Sequence, residues 1–271
     1  MTASAPPDVH EYTTTGPIDV DLRVRSGDIT VTAVDRLVAA VTVHAEDGSE
    51  PSRAAADQIT VSYADGRLLV ETPRSSGWLG YRRGRIRLNV SVPLESMVTA
   101  RLGSADLRTD GRLGGVDVDS GSGDVWISEA SGDVKAESGS GDLRVGRIGG
   151  TVKLHTGSGD VVVEDVSGAL AVEAASGDVT IGVARGTVRI HTASGDVRLD
   201  AARGAEVDID SASGDVSAGV PAGTSVWLDL ASMSGSTRSD LQPTGEPEGG
   251  PALTLRVHTM SGDVRVHRTS A

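Results

Sequence analysis

The chain of 271 residues has no cysteine and no phenylalanine, and it has only three tryptophans and three tyrosines. The lack of cysteine excludes disulfides, thiolate metal sites and a cysteine nucleophile. Because aromatic side chains are scarce, β-branched and small residues, including 35 glycines, must supply the packing. This composition favours a narrow, repetitive β-structure over a globule.

Basic residues are also few: the chain has 25 Lys and Arg and 38 Asp and Glu, which gives a formal net charge of -13. Phosphate contacts need Lys and Arg, so we expect no nucleic-acid partner. No apolar run approaches the roughly 18 residues that cross a bilayer. Residues 1–10 have neither the basic nor the apolar region of a signal peptide. We therefore expect no direct membrane insertion and a cytoplasmic location.

The most frequent motif is Ser-Gly-Asp, which occurs nine times. A catalytic site is unique, whereas a structural corner repeats. Gly adopts a positive φ at a corner, and Ser and Asp side chains bond nearby backbone N–H groups. The sequence therefore predicts structural corners at Gly123, Asp124, Gly141, Asp142, Gly159, Asp160, Gly177, Asp178, Gly195, Asp196, Gly214 and Asp215.

The corner carboxylates are also candidates for calcium, because calcium-binding β-rolls have nonapeptide repeats with the pattern G-G-x-G-x-D. Here the Asp follows the Gly directly, and alternate half-coils lack the acid. We therefore favour a backbone-bracing role and keep a calcium-stabilised β-roll as an alternative. The calcium candidates are Asp124, Asp142, Asp160, Asp178 and Asp196.

The residues between corners alternate in polarity. After the corner at Asp160, for example, Val161 and Val163 are apolar, and the residue between them varies from one repeat to the next. This period of two predicts strands with one buried face. From Asp106 to Asp196 the corner aspartates are 18 residues apart, with weaker corners halfway between them. The sequence thus predicts an all-β fold, a β-solenoid of about 18-residue, two-strand coils whose strands pair in parallel.

The periodic region is expected to span residues 94–271, with a loop insertion at 239–250 and a last regular unit at Leu253 to His267. Residues 1–15 are polar and are expected to form a flexible N-terminal tail. Residues 16–93 are β-rich without a period, and we expect them to be an irregular layer or cap continuous with the solenoid. Within them, Ser49 is expected to cap a short helix, and a hairpin is expected to turn at Asp65-Gly66.

Two sets of outward residues are candidates for a partner face. The first is a column of residues that lie five positions before the corner aspartates. Acidic residues and histidines alternate along it, as in His155, Glu173 and His191. We expect mutual charge relief along this surface column rather than a metal site, because a metal needs three or four converging ligands. The full column is Glu137, His155, Glu173, His191, Asp210 and His258. The second set is a basic and aromatic cluster, Trp78, Tyr81, Arg82 and Arg83, which suits an acidic partner.

No nucleophile elbow, phosphate loop, zinc-protease motif or dinucleotide fingerprint occurs in the sequence. We therefore expect no enzymatic activity, no catalytic residues and no cofactor. Some β-solenoids hydrolyse polysaccharides through paired carboxylates, so a carbohydrate-active enzyme is kept as a second alternative.

The chain resembles a bacterial family of β-strand-repeat domains of unknown function, called putative-adhesin or toast-rack domains. The residues that carry the resemblance are Thr14 to Val20, the hairpin Ala64 to Val70, the Val92-Pro93 step and the Ser-Gly-Asp corners. The resemblance implies a non-enzymatic β-solenoid and an association with envelope-stress signalling. We therefore expect an interaction or assembly scaffold that binds an unknown protein partner or associates with itself.

Overall fold

The computed structural model describes residues 8–47, 49–72, 84–242 and 252–269. Over these residues the protein is all-β except for one short helix. The chain divides into two compact units, Met1–Gly132 and Asp133–Ala271. No helix in the described part of the chain is long and apolar enough to span a bilayer.

The first unit is built around two long strands that run through their corners without ending, Asp19–Val34 and Met97–Leu113. These two strands, β2 and β7, pair in parallel along their length. The elements in chain order are β1 Asp8–Thr13, β2 Asp19–Val34, β3 Val38–Ala45, α1 Glu50–Ala56, β4 Thr60–Ala64, β5 Arg67–Glu71, β6 Ile86–Pro93, β7 Met97–Leu113, β8 Gly115–Ser122 and β9 Val125–Ala130.

The irregular part of the first unit mixes parallel and antiparallel pairs. Strand β2 also pairs in parallel with β5 through its first half and with β6 through its second half. Antiparallel pairs then extend the structure outwards, from β5 to β4 and from β6 through β3 to β1. The parallel partners β8 and β9 lie on the other side of β7.

The prediction of a flexible tail over residues 1–15 is wrong for its second half, because Asp8–Thr13 forms β1. This strand covers the edge of β3 with an antiparallel register that sets His10 opposite Val41. The ring of Tyr12 stacks on that of Tyr63 at 5.2 Å between centroids. The segment is short and polar, and only its partners make it a strand.

Two local predictions are confirmed. Ser49 caps α1, and its Oγ accepts the backbone N–H of Ser52 at 3.3 Å. The hairpin of β4 and β5 turns at Asp65 and Gly66, whose φ angles are 50° and 76°. Positive φ at both central residues matches the right-handed twist of the strands.

The second unit is a β-solenoid in which chain neighbours do not pair but every second strand does. Strand β12, for example, pairs in parallel with β14 in a register that sets Val152 opposite Leu170. Two strands thus form one coil of 18 residues, as predicted. The strands are β10 Val134–Ser140, β11 Leu143–Ile148, β12 Val152–Ser158, β13 Val161–Val166, β14 Leu170–Ser176, β15 Val179–Ala184, β16 Val188–Ser194, β17 Val197–Ala202, β18 Glu206–Ser213, β19 Val216–Pro221, β20 Val226–Ser234, β21 Thr237–Ser239, β22 Leu253–Ser261 and β23 Val264–Thr269.

The core of the second unit consists of the inward side chains of successive coils. Val161, Val172 and Ile190 have 0% of their surface exposed. Complete burial of such a side chain stabilises the fold by about 1.5–3 kcal/mol. A single coil would leave these side chains open on both sides, so stability depends on stacking.

The coil that was expected to be the last regular unit, Leu253 to His267, is regular but does not lie at the end of the solenoid. Strand β22 pairs with β18 on one side and with β20 on the other, so the last coil in the sequence lies inside the stack. The terminal coil is instead β20 and β21, whose corner is the degenerate Ser234-Gly235-Ser236. Leu255 is 0% exposed between its neighbours. The coil of β22 and β23 has apolar inward residues on both strands, whereas β21 has Thr237 and Ser239 at the inward positions. The coil with two apolar inward rows therefore takes the position with two partners.

Candidate functional site

The corner aspartates of the second unit connect successive coils. Oδ1 of Asp142 accepts the backbone N–H of Asp160 at 3.0 Å, and Oδ1 of Asp160 accepts that of Asp178 at 3.0 Å. The same bond, at 2.8 Å, joins Asp178 to Asp196, Asp196 to Asp215, and Asp215 to Asp263. In the first unit, Asp106 accepts the N–H of Asp124 at 3.0 Å. One carboxylate oxygen of each of these acceptors is thus bound to the backbone.

The corner glycines are stacked as closely as the aspartates. Gly159 has a φ of 132°, and a Cβ on it would lie 2.3 Å from the carbonyl oxygen of Gly141. Only glycine fits both the dihedral angle and the space. Within the described ranges, no group of three or more His, Asp and Glu side chains could hold a metal ion.

The outward column predicted from the sequence is continuous in the second unit. The register sets His155 opposite Glu137 on one side and Glu173 on the other, and sets His191 between Glu173 and Asp210. Nδ1 of His155 lies 3.4 Å from Oε2 of Glu173, and Nδ1 of His191 lies 3.3 Å from Oδ2 of Asp210. We call the set Glu137, His155, Glu173, His191, Asp210 and His258 the His/acid column.

The true strand order extends this column by one acid that sequence reasoning missed. His258 lies between Asp210 and the terminal strand, with Nδ1 at 3.8 Å from Asp210 Oδ1 and Nε2 at 3.6 Å from Asp229 Oδ2. The residue directly opposite His258 on β20 is Ala231, and Asp229 lies two residues before it. No repeat pattern marks Asp229, because its proximity depends on the insertion of β22.

The His/acid column borders a shallow groove of about 720 Å³ on the face of the even-numbered strands. Its floor consists of small side chains, Ala175, Ala193 and Ala212. Towards the end of the stack the groove includes two exposed methionines, Met260 on β22 and Met233 on the terminal strand β20, at 59% and 83% exposure. We call this surface the column groove. It combines a row of alternating carboxylates and imidazoles with an apolar strip.

The column side chains are too exposed to act as a concentrated chemical centre. His155 and Glu173 have 59% and 67% of their side-chain surface exposed. An ion pair at such exposure contributes roughly 0–1 kcal/mol. The side chains follow one another along the stack, so the arrangement suits recognition of an extended surface.

A second charged cluster, in the first unit, was not predicted from the sequence. Asp21 is 2% exposed, and its Oδ2 accepts from Arg23 at 2.7 Å and from Arg67 at 2.6 Å. Arg101 adds a third cation at 3.9 Å. Burial raises the pKa of Asp21, but the hydrogen bonds from Arg23 and Arg67 outweigh it, so the pKa lies below its usual range. The sequence shows Asp21 only as a polar residue in an alternating strand.

The predicted partner residues Trp78, Tyr81, Arg82 and Arg83 lie outside the described residues. Their docking role stays a prediction. The structure describes the chain up to Thr72, whose backbone N–H donates to the carbonyl of Arg23 at 2.9 Å, and again from Gly84.

Comparisons with known proteins place this chain among β-strand-repeat proteins. The family described as Toastrack DUF4097 matches residues 52–267. A solved structure named "putative lipid binding protein", from Parabacteroides distasonis, is 14% identical, covers 97% of both chains and has a TM-score of 0.51. One named "putative adhesin", from Bacteroides fragilis, is 11% identical over 98% of both chains, with a TM-score of 0.49. No curated protein matches significantly.

Proposed function

Because the chain belongs to the Toastrack DUF4097 family, we propose that it is a non-enzymatic scaffold that binds a protein partner through the column groove. The observation that carries the proposal is the continuous His/acid column beside an apolar floor. The two similar structures are named a "putative adhesin" and a "putative lipid binding protein". The envelope-stress association of toast-rack domains gives the process in which we expect the partner to act.

The charges of the column define the partner's chemistry. With Asp229, four carboxylates face three imidazoles along the stack. The carboxylates thus outnumber the imidazoles, and the chain as a whole is acidic. A segment with Lys or Arg side chains complements this row.

The floor of the groove defines the shape of the partner. Ala175, Ala193 and Ala212 project little from their strands, so a partner backbone can come close to the sheet. The exposed Met233 and Met260 add flexible, polarizable contacts at one end. We infer a partner segment with small or aliphatic side chains along one line and basic side chains beside it.

The experiment starts with a photocrosslinking residue at Ala193, in the groove, in the full chain inside producing cells. A matched crosslinker replaces Arg198, an exposed residue on the odd-numbered strands. We expect one partner to crosslink at Ala193 and not at Arg198, through a segment that contains Lys or Arg.

The purified partner then tests the groove directly. Ala193→Tyr fills the floor and should weaken binding at least about tenfold, as expected for a central contact, while Arg198→Tyr should leave the affinity unchanged. Equal crosslinking at both positions, or unchanged binding by Ala193→Tyr, would contradict the proposal.

The calcium alternative is tested separately by thermal melting with calcium and with chelator. Oδ1 of each bracing aspartate already accepts a backbone N–H. We therefore expect the same midpoint in both conditions. A clear upward shift with calcium would revive the β-roll alternative.

A further inference from the structure

The terminal coil of the second unit has two very different edges. Strand β21 is short, with three exposed residues, and it has Thr237 and Ser239 where its neighbour β23 has Val264 and Val266. Short, polar edge strands resist association. The β21 edge is therefore protected against pairing with a further strand.

Strand β20, the other edge, lacks these protective features. It has nine residues, contains a single charge at Asp229 and has no proline. Within the described residues it pairs with β22 on one side and with no strand on the other. A long apolar edge presents unpaired N–H and C=O groups to any strand of matching shape.

The burial of β20 shows that its inner face is incomplete. Val226, Leu228 and Leu230 are only half-buried, whereas their register partners on β22, Leu253, Leu255 and Val257, are 0% exposed. On the outer face Trp227 is 47% exposed. One further strand against β20 would bury the apolar row as completely as the interior coils do.

The row of corner aspartates, each of which accepts the backbone N–H of the next corner, does not favour a further coil stacked in parallel. This row of hydrogen bonds ends at Ser236, whose N–H and Oγ both donate to Oδ1 of Asp263, at 2.8 and 3.0 Å. Ser236 has no carboxylate with which to receive the corner N–H of a next coil. An antiparallel strand needs no corner at all.

We propose that β20 pairs antiparallel with β20 of a second copy of this chain, across a twofold axis at Leu228. This register sets Leu228 against Leu228 and Val226 against Leu230, so the half-buried side chains cover each other. It also sets Asp229 of each copy opposite Trp227 of the other. Arg256 lies over that indole at 5.7 Å, so Asp229 gains a cation nearby.

The twofold pairing closes on itself and gives a dimer, not a filament. It requires no external partner, and it shares with the column groove only the end on β20, where Asp229 and Met233 lie. Its test is therefore independent of the proposed function, and either can fail alone.

Sedimentation of the full chain over a concentration series provides the first test, and we expect a monomer–dimer equilibrium. Trp227→Glu should weaken the dimer about tenfold, because it sets two Glu–Asp pairs across the strands. Trp227→Lys should be tighter than Trp227→Glu, since Lys then faces Asp229. Trp126→Glu is the matched control, another exposed indole beside an arginine, and it should dimerise like the wild type.

Hydrogen exchange gives a second readout that does not depend on a variant. Amides of β20 should become protected as concentration rises, and those of β21 should not. A wild-type chain that stays monomeric to millimolar concentration, assemblies that grow beyond a dimer, or a Trp227→Glu variant as tight as the wild type would each overturn the proposal.

Discussion

At the scale of single residues, aspartate has two opposite roles in this protein. The corner aspartates are on the surface, where their carboxylates accept a backbone N–H from the next coil. Asp21 is buried beneath three arginines and stabilises charge rather than backbone. Asp21 lies within a strand, whereas Asp142, Asp160 and Asp178 lie between strands, so the position and the neighbours decide the role.

Replacing Asp21 with Asn should lower the free energy of unfolding at neutral pH by about 2 kcal/mol, because Arg23 and Arg67 lose their shared counter-ion. Since the pKa of Asp21 is lowered from 3.8 in the folded state, its stabilisation is present above pH 3.8 and is lost as pH falls through the folded pKa. Urea unfolding at pH 7 and at pH 3 measures both values.

The matched control for this prediction is Asp19→Asn, an exposed residue on the same strand. It should change the free energy of unfolding by less than about 0.5 kcal/mol. A loss for Asp21→Asn that is equally large at both pH values would contradict the charge explanation.

At the scale of elements, the corners determine how strands succeed one another. In the first unit β2 and β7 continue through their corners as strands of 16 and 17 residues. In the second unit most strands end at a corner, where Gly stacks on Gly with a positive φ. The repeat is therefore preserved by backbone geometry as much as by side chains.

Gly177→Ala should destabilise the protein by about 2–3 kcal/mol, since strain and a clash act together. Gly177 has a φ of 118°, and a Cβ on it would lie 2.2 Å from the carbonyl oxygen of Gly159. The hairpin residue Gly66 separates the two causes, because its φ is 76° but nothing lies within 4 Å of its Cβ position.

Gly66→Ala should cost only about 1 kcal/mol, the price of the dihedral angle alone. Thermal melts of both variants in the full chain give the comparison. Equal losses for the two variants would show that close stacking at the corners contributes little.

At the scale of the whole molecule, the order of the coils in space differs from their order in the chain. Strands β22 and β23 come last in the sequence but lie between the coil of β18 and β19 and the coil of β20 and β21. The last regular repeat thus has two neighbours, and the degenerate repeat has one.

Two leucines in the same inward row test this order. Leu255 is 0% exposed on β22, while Leu228, its register partner on β20, is half-buried. Leu255→Ala should lower the free energy of unfolding by about 3 kcal/mol, and Leu228→Ala by about 1 kcal/mol, because only the first leaves a closed cavity. Chemical denaturation measures both, and an equal or reversed order of costs would contradict the inserted coil.

Much of the fold was predictable because the signal repeats. The alternation after each corner predicted which side chains are buried, and the 18-residue spacing predicted the coil. The His/acid column followed from the same spacing. Asp229, the buried Asp21 cluster and strand β1 were not predictable, since each depends on contacts between segments that no repeat relates.

The sequence by itself determined the solenoid. The period of two within strands fixes which side chains point inwards, and the period of 18 between corners fixes which residues of the next coil lie opposite them. Only the tertiary structure decided which coil ends the stack. Pairing on both sides buries Leu253, Leu255 and Val257 completely. The coil of β22 and β23, which has apolar inward residues on both strands, therefore lies inside the stack, and β20 lies at the edge. That edge exists because burial, not chain order, determines the position of the last repeat.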